Sequence, residues 1–113
     1  MTGKVIEMAT IKLLPGKTEQ DLLRASEKFQ QDFVNGLKGF ISRELVHVKD
    51  NEYADIVHWE SMEDARAVLT QEMSSDACMA FFSLMEMDET NPEAGVRHFK
   101  SLALYEVDEV ERS

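Results

Sequence analysis

Two periodicities succeed each other along this chain, and the order in which they do so leaves few folds open. Val5 to Leu14 alternates at a period of two, with Val5, Glu7, Ala9, Ile11 and Leu13 on one face and Ile6, Met8, Thr10 and Lys12 on the other, until Pro15-Gly16 stops the strand. Thr18 with Asp21 three residues later starts a helix in the manner of a capping box. Leu22, Ala25, Phe29 and Phe33 then form its apolar stripe up to Asn35-Gly36. Phe40 to Val48 and Glu52 to Glu60 alternate again around Asp50-Asn51, two residues that tolerate the positive φ angles of a tight hairpin. That turn sets Lys49 against Glu52 and predicts Arg43 opposite His58.

Ser61 with Asp64 repeats the helix-start pattern, and Ala65, Val68, Leu69 and Met73 carry the stripe of a second helix. Ser74-Ser75-Asp76 interrupts it and offers a new N-cap for a shorter helix from Ala77 to about Met87. Asp88 to Gly95 reads as an acidic loop, and Val96 to Val107 alternates as a last strand. The order is β-α-β-β-α-β, the split βαβ arrangement of the ferredoxin-like fold: an α+β protein with one four-stranded antiparallel sheet, spanning 1–113 as a single domain.

Right-handed crossovers put both main helices on one face of such a sheet. The strands are nevertheless apolar on both faces: Ile6 and Met8 oppose Val5, Ala9 and Ile11, and Ala54 and Ile56 oppose Tyr53, Val57 and Trp59. A half-solvated antiparallel sheet alternates more cleanly. With no spare helix, the expected cover is a second copy of the same sheet, which predicts a homodimer.

Charge removes several functions. Residues 1–50 hold eight basic and seven acidic side chains, whereas residues 51–113 hold four and fifteen, and the whole chain carries −10. An acidic surface repels phosphate backbones and anionic lipid, so no nucleic-acid partner and no membrane partner is expected. No stretch approaches the ~20 apolar residues of a membrane span. The first dozen residues lack a signal-peptide pattern, and the single Cys78 forms no internal disulfide; both fit a cytoplasmic location. Two histidines, His47 and His58, with Glu60 are expected on the sheet face opposite Asp55 and Trp59; lacking a His-x-x-x-His pair, they are read as hydrogen-bonded residues at the dimer contact, with no metal site.

Gly39-Phe40, opening the second strand, and His58-Trp59-Glu60-Ser61, where a strand ends in Trp and a helix begins, carry a resemblance that runs from Val5 to Val107. In these features the chain resembles the dimeric α+β barrels of the antibiotic biosynthesis monooxygenase type. The resemblance implies two sheets facing each other as a barrel, with a pocket in each subunit between sheet and helices. Some such proteins oxidise aromatic molecules without metal or flavin, some break open haem, and many have no known activity. Trp59 matches the family's strand-end Trp, and Asp55 shares its face, so both are implied as catalytic residues.

Cofactor-free oxygenation requires an apolar cavity, a group that turns a phenol-like substrate into its electron-rich anion, and room for oxygen. Asp55 suits the proton-accepting role if burial raises its pKa, although some oxygenating relatives place a neutral amide there. Tyr53, Met79, Phe82 and Met85 are the expected substrate contacts, with the methionines Met62, Met73, Met79, Met85 and Met87 supplying an adaptable lid. The haem-degrading pattern fits poorly: its first-strand amide, second-helix Trp and following His are replaced by Glu7 or Met8, Val68 or Leu69, and non-His residues from Ala77 to Phe82. The sequence thus predicts a cofactor-independent monooxygenase-like protein for a small apolar, aromatic substrate, with no cofactor. The alternative is a non-catalytic dimeric module that binds a small ligand or a protein.

Overall fold

The structure is a computed structural model and describes residues 4–68, 71, 75–86 and 95–106. Four strands, β1 (Val5–Lys12), β2 (Phe40–Lys49), β3 (Glu52–Trp59) and β4 (Val96–Lys100), form one antiparallel sheet in the order β2-β3-β1-β4. Three helices are described: α1 (Glu19–Asp32), α2 (Met62–Ala67) and α3 (Asp76–Phe82). This is the expected α+β, ferredoxin-like order, with β1 and β3 at the centre.

The helices begin where the sequence provides caps. Thr18 Oγ1 accepts from the Asp21 amide (3.1 Å) while the Asp21 carboxylate accepts from the Thr18 amide (2.9 Å). Ser61 and Ser75 cap α2 and α3 through the amides of Asp64 and Cys78. Gly39 turns the chain into β2 at φ +79°, in the left-handed region where side chains are disfavoured.

Two boundaries differ from the sequence reading. Helix α3 ends at Phe82, short of Met87, because the following backbone pairs with the end of β1: Leu14 N donates to Leu84 O (3.0 Å) and Glu86 N to Lys12 O (2.8 Å). Strand β4 ends at Lys100, because β1 offers it only Val5 to Ala9; beyond it, Ser101 N donates to Lys4 O, and residues up to 106 leave the sheet. The expected Leu69, Met73, Met87 and Val107 lie outside the described residues.

The largest correction is in the hairpin. Lys49 faces Glu52 as expected, but Val48 is an unpaired bulge, so His47 pairs with Tyr53 and Arg43 with Val57, leaving His58 opposite Ser42. A one-residue shift moves every affected side chain to the other face. His47 therefore meets Tyr53 (ring centroids 4.7 Å apart, planes tilted by 35°), away from His58, and the expected His47–His58–Glu60 face does not form. A second irregularity at Ile41 brings Phe40 opposite Trp59, where the rings meet edge to face at 6.0 Å.

The helix-facing side of the sheet carries two apolar clusters. Ile11, Leu22, Phe29, Tyr53, Phe81 and Met85 belong to one; Val5, Val57, Trp59, Ala65 and Val68 make the other. On the opposite face, Ile6, Met8 and Ile56 are half-buried and Phe99 is exposed.

Candidate active site

Strand alternation places four ionisable side chains between the apolar clusters. Glu7 lies at the centre of β1, paired with Val57 on one side and His98 on the other. Asp55 lies two residues along β3 from Val57, and Arg43 reaches the same patch from β2 because of the Val48 bulge. Trp59 stands at the end of β3, the other diagonal neighbour of Glu7.

Arg43 and Asp55 form a buried ion pair, with side chains 7% and 8% exposed. Arg43 Nη1 donates to both carboxylate oxygens of Asp55 (2.9 and 3.2 Å), Nε to Gln30 Oε1 (2.9 Å), and Nη2 to the carbonyl and hydroxyl oxygens of Ser26. The guanidinium also lies over the ring of Phe29 at 5.0 Å, and Phe29 stacks on Phe81 at 4.6 Å. Burial pushes the Asp55 carboxyl above its ordinary range, opposed by the charge and hydrogen bonds of Arg43.

Glu7 and His98 make a second pair on the same face. His98 Nε2 lies 3.2 Å from Glu7 Oε1, with side chains 19% and 15% exposed. Desolvation raises the Glu7 carboxyl above its ordinary value; the charge and hydrogen bond of His98 oppose this, as does the Trp59 indole, while Asp55 adds to the rise. Trp59 itself is 2% exposed, yet its Nε1 has no hydrogen-bond partner among the described residues. Its N–H favours the charged form of Glu7 without closing hydrogen-bond geometry, leaving a buried donor of the kind native cores rarely tolerate.

The expected site residues are split between the two clusters. Trp59 packs with Val57 and Ala65 at one end of the sheet, whereas Tyr53, six residues earlier, is about 20 Å away along the strand. Tyr53 donates to Glu19 Oε1 (3.1 Å); burial first, and then Glu19, raise its phenol pKa. Met85 is buried with Tyr53 and Phe82 packs against the same cluster, while Met79 on α3 is exposed. Asp55 lies between the groups. Met62 packs near Trp59.

Glu7, Arg43 and His98 were absent from the predicted site. Glu7 did carry a signal, an acid on the core-facing side of an otherwise apolar strand face; Arg43 and His98 depend on pairings that no local pattern encodes. Among the described residues, no cluster of three or more His, Cys, Asp or Glu side chains is placed to hold a metal ion. No described helix is long and apolar enough to cross a membrane.

No family model and no curated protein matches the sequence. Solved structures do match the fold. SnoaB, a cofactor-independent oxygenase from Streptomyces nogalater, superposes with a TM-score of 0.64 at 17% identity, covering 93% of this chain and 97% of that one. A candidate antibiotic biosynthesis monooxygenase from Bordetella bronchiseptica gives 0.63 at 20% identity, covering 89% and 99%. A Nitrosomonas europaea protein of unknown function, NE2512, gives 0.68 at 11% identity, covering 95% and 97%. At these identities the likeness carries the fold: the chain has the architecture of antibiotic biosynthesis monooxygenase structures, as the sequence resemblance implied.

Proposed function

We propose that this protein is a monooxygenase-like enzyme, working without metal or flavin on a small aromatic molecule held between the sheet and its helices. The observation that carries the reading is Trp59: a buried indole whose N–H has no partner among the described residues, packed in an apolar cluster beside two carboxyls. An aromatic substrate gains from the apolar wall, and one of its oxygens can accept the vacant N–H. In the overall reaction molecular oxygen delivers one atom to the substrate and one to water, with the electrons coming from the substrate once it has lost a proton.

Asp55 was the expected proton acceptor. Burial does hold its carboxyl above the ordinary range, but both of its oxygens are engaged by Arg43 and neither is turned to a substrate hydroxyl. Its proposed part is to hold Arg43 and fix the charge of the pocket floor. Tyr53 lies about 20 Å along β3 from Trp59, beyond the reach of a small molecule held there, and Met85 and Phe82 pack in its cluster while Met79 is exposed, so the proposed site leaves all four out.

The unit proposed is a homodimer of one-domain chains. Ile6, Met8, Ile56 and Phe99 share the face without a described helix over it, and Leu102, Leu104 and Tyr105 are 90%, 74% and 91% exposed on the extended segment after β4. A second copy would cover both.

Oxygen uptake with a panel of quinols and anthrone-like compounds tests the activity. Trp59→Phe keeps the apolar ring and removes the donor, and is expected to lower kcat/KM by roughly a hundredfold. Unchanged rates would take Trp59 out of the chemistry. Saturable binding with no oxygen consumed by the unaltered protein would favour the non-catalytic module instead.

A further inference from the structure

The cross-strand pair of Glu7 and His98 points to a function for the patch that Asp55 cannot serve. Glu7 Oε1 faces only one ring nitrogen of His98, Nε2. Carrying the hydrogen on Nε2 satisfies the Glu7 carboxylate and leaves Nδ1 with a lone pair; Nδ1 has no hydrogen bond among the described residues. A carboxylate orienting an imidazole whose other nitrogen is open is the arrangement a general base requires. The buried Trp59 N–H on the same sheet face adds a second observation: it closes no hydrogen bond among the described residues, although it favours the charged form of Glu7.

The neighbourhood selects the ligand. Glu7, Ala9 and His98 are only half-buried although they face the helix side, so this part of the sheet stays accessible, while Val57 and Trp59 beside them are buried and apolar. The other charged groups on the patch are Asp55 and Arg43, which are closed on each other, with Lys100 exposed two residues along β4; Ser26 and Gln30 from α1 are neutral and bonded to Arg43. A flat apolar molecule with an acidic hydroxyl matches such a floor better than a carboxylate or phosphate, which Glu7 and Asp55 would repel.

We infer that His98, oriented by Glu7, is the base that ionises a hydroxyaromatic ligand on this sheet face, and that the Trp59 N–H is a donor to an oxygen of that ligand. The step is a proton transfer: the ligand O–H bond breaks, a bond from hydrogen to His98 Nδ1 forms, and the imidazolium is balanced by Glu7 on one side and the new phenolate on the other. This rests on the proposed oxygenase site but does not require oxygen, so the two can fail separately.

The test uses 4-nitrophenol, whose phenolate absorbs in the visible, titrated into the full chain at a pH just below the probe's own pKa. The unaltered protein is expected to bind it and increase the phenolate band. His98→Gln is expected to cut the bound phenolate-to-phenol ratio about tenfold, the equivalent of one pKa unit of lost proton affinity. Glu7→Gln should weaken it in the same direction, and Trp59→Phe should weaken binding. Circular dichroism checks that each variant is folded; should Glu7→Gln fail to fold, His98→Gln on the edge strand carries the result. No binding by the unaltered protein, binding without ionisation, or an unchanged band in folded His98→Gln each overturns the inference. Ionisation without oxygen uptake from any quinol or anthrone would remove the oxygenase reading and leave the dyad.

Discussion

Each guanidinium nitrogen of Arg43 donates to an acceptor, and Asp55 is its only charged partner in the described contacts. Removing one member of such a buried pair strands the other, whereas replacing both need not. Asp55→Ala is therefore expected to cost about 3–5 kcal/mol in urea unfolding, and the double replacement Arg43→Met with Asp55→Leu to recover most of it. Glu7 gives a pH signature of definite sign. Its carboxyl is raised in the folded protein, so as pH falls from neutral through that raised value the native state binds a proton before the unfolded chain does, and stability rises. Once the pH is below the unfolded value the gain is complete; it is lost again as pH climbs through the folded one. Glu7→Gln lacks this contribution, so unfolding free energies measured from pH 7 downward should show the unaltered protein gaining on the variant. A gap independent of pH would mean that Glu7 is not held above its ordinary value.

At the scale of elements, β2 shows where sequence legibility stops. The Asp50-Asn51 turn and the Lys49–Glu52 pair could be read directly, and Asp50 does adopt positive φ (+44°). The bulge at Val48 could not, because an exposed extra residue breaks no hydrophobic pattern and carries no composition signal. That single residue decides which face receives Arg43, so the ion pair under α1 was invisible while the strand bearing it was plain. Caps at Thr18, Ser61 and Ser75 were legible for the opposite reason: their chemistry lies within three residues of sequence. Deleting Val48 should remove the bulge without disturbing the register beyond it, since His47 would then directly precede Lys49 just as Tyr53 directly follows Glu52 on the paired strand. A thermal melt close to that of the unaltered protein is expected; loss of folding would mean that the bulge's added twist, rather than its register shift, is what the sheet needs.

For the whole molecule, the uncovered sheet face and the segment after β4 are the surfaces that the proposed dimer would bury. Ile56 on central strand β3 lies near the middle of that face, paired with Met8 and Glu44. Ile56→Asp should leave the helix-side clusters intact and, by sedimentation at micromolar concentration, convert a dimer into folded single chains. A monomeric unaltered protein would remove the dimer from the proposal. The order of strands and helices was readable because it follows from the order of periodicities, while the hairpin register was not; the site was readable only in part, because its charged residues meet through strand pairings separated by as many as 91 positions.

That separation also bears on biosynthesis. Strand β1 is made first yet ends up inside the sheet, flanked by residues 52–59 and 96–100. A chain still emerging from the ribosome can zip β1 onto β3, but its other flank offers open amide and carbonyl groups, with an acid among them, until residues 96–100 have been made. The nascent protein thus carries its own adhesive edge while the 36 residues between β3 and β4 are added, and the last of the four described strands is the one that seals it.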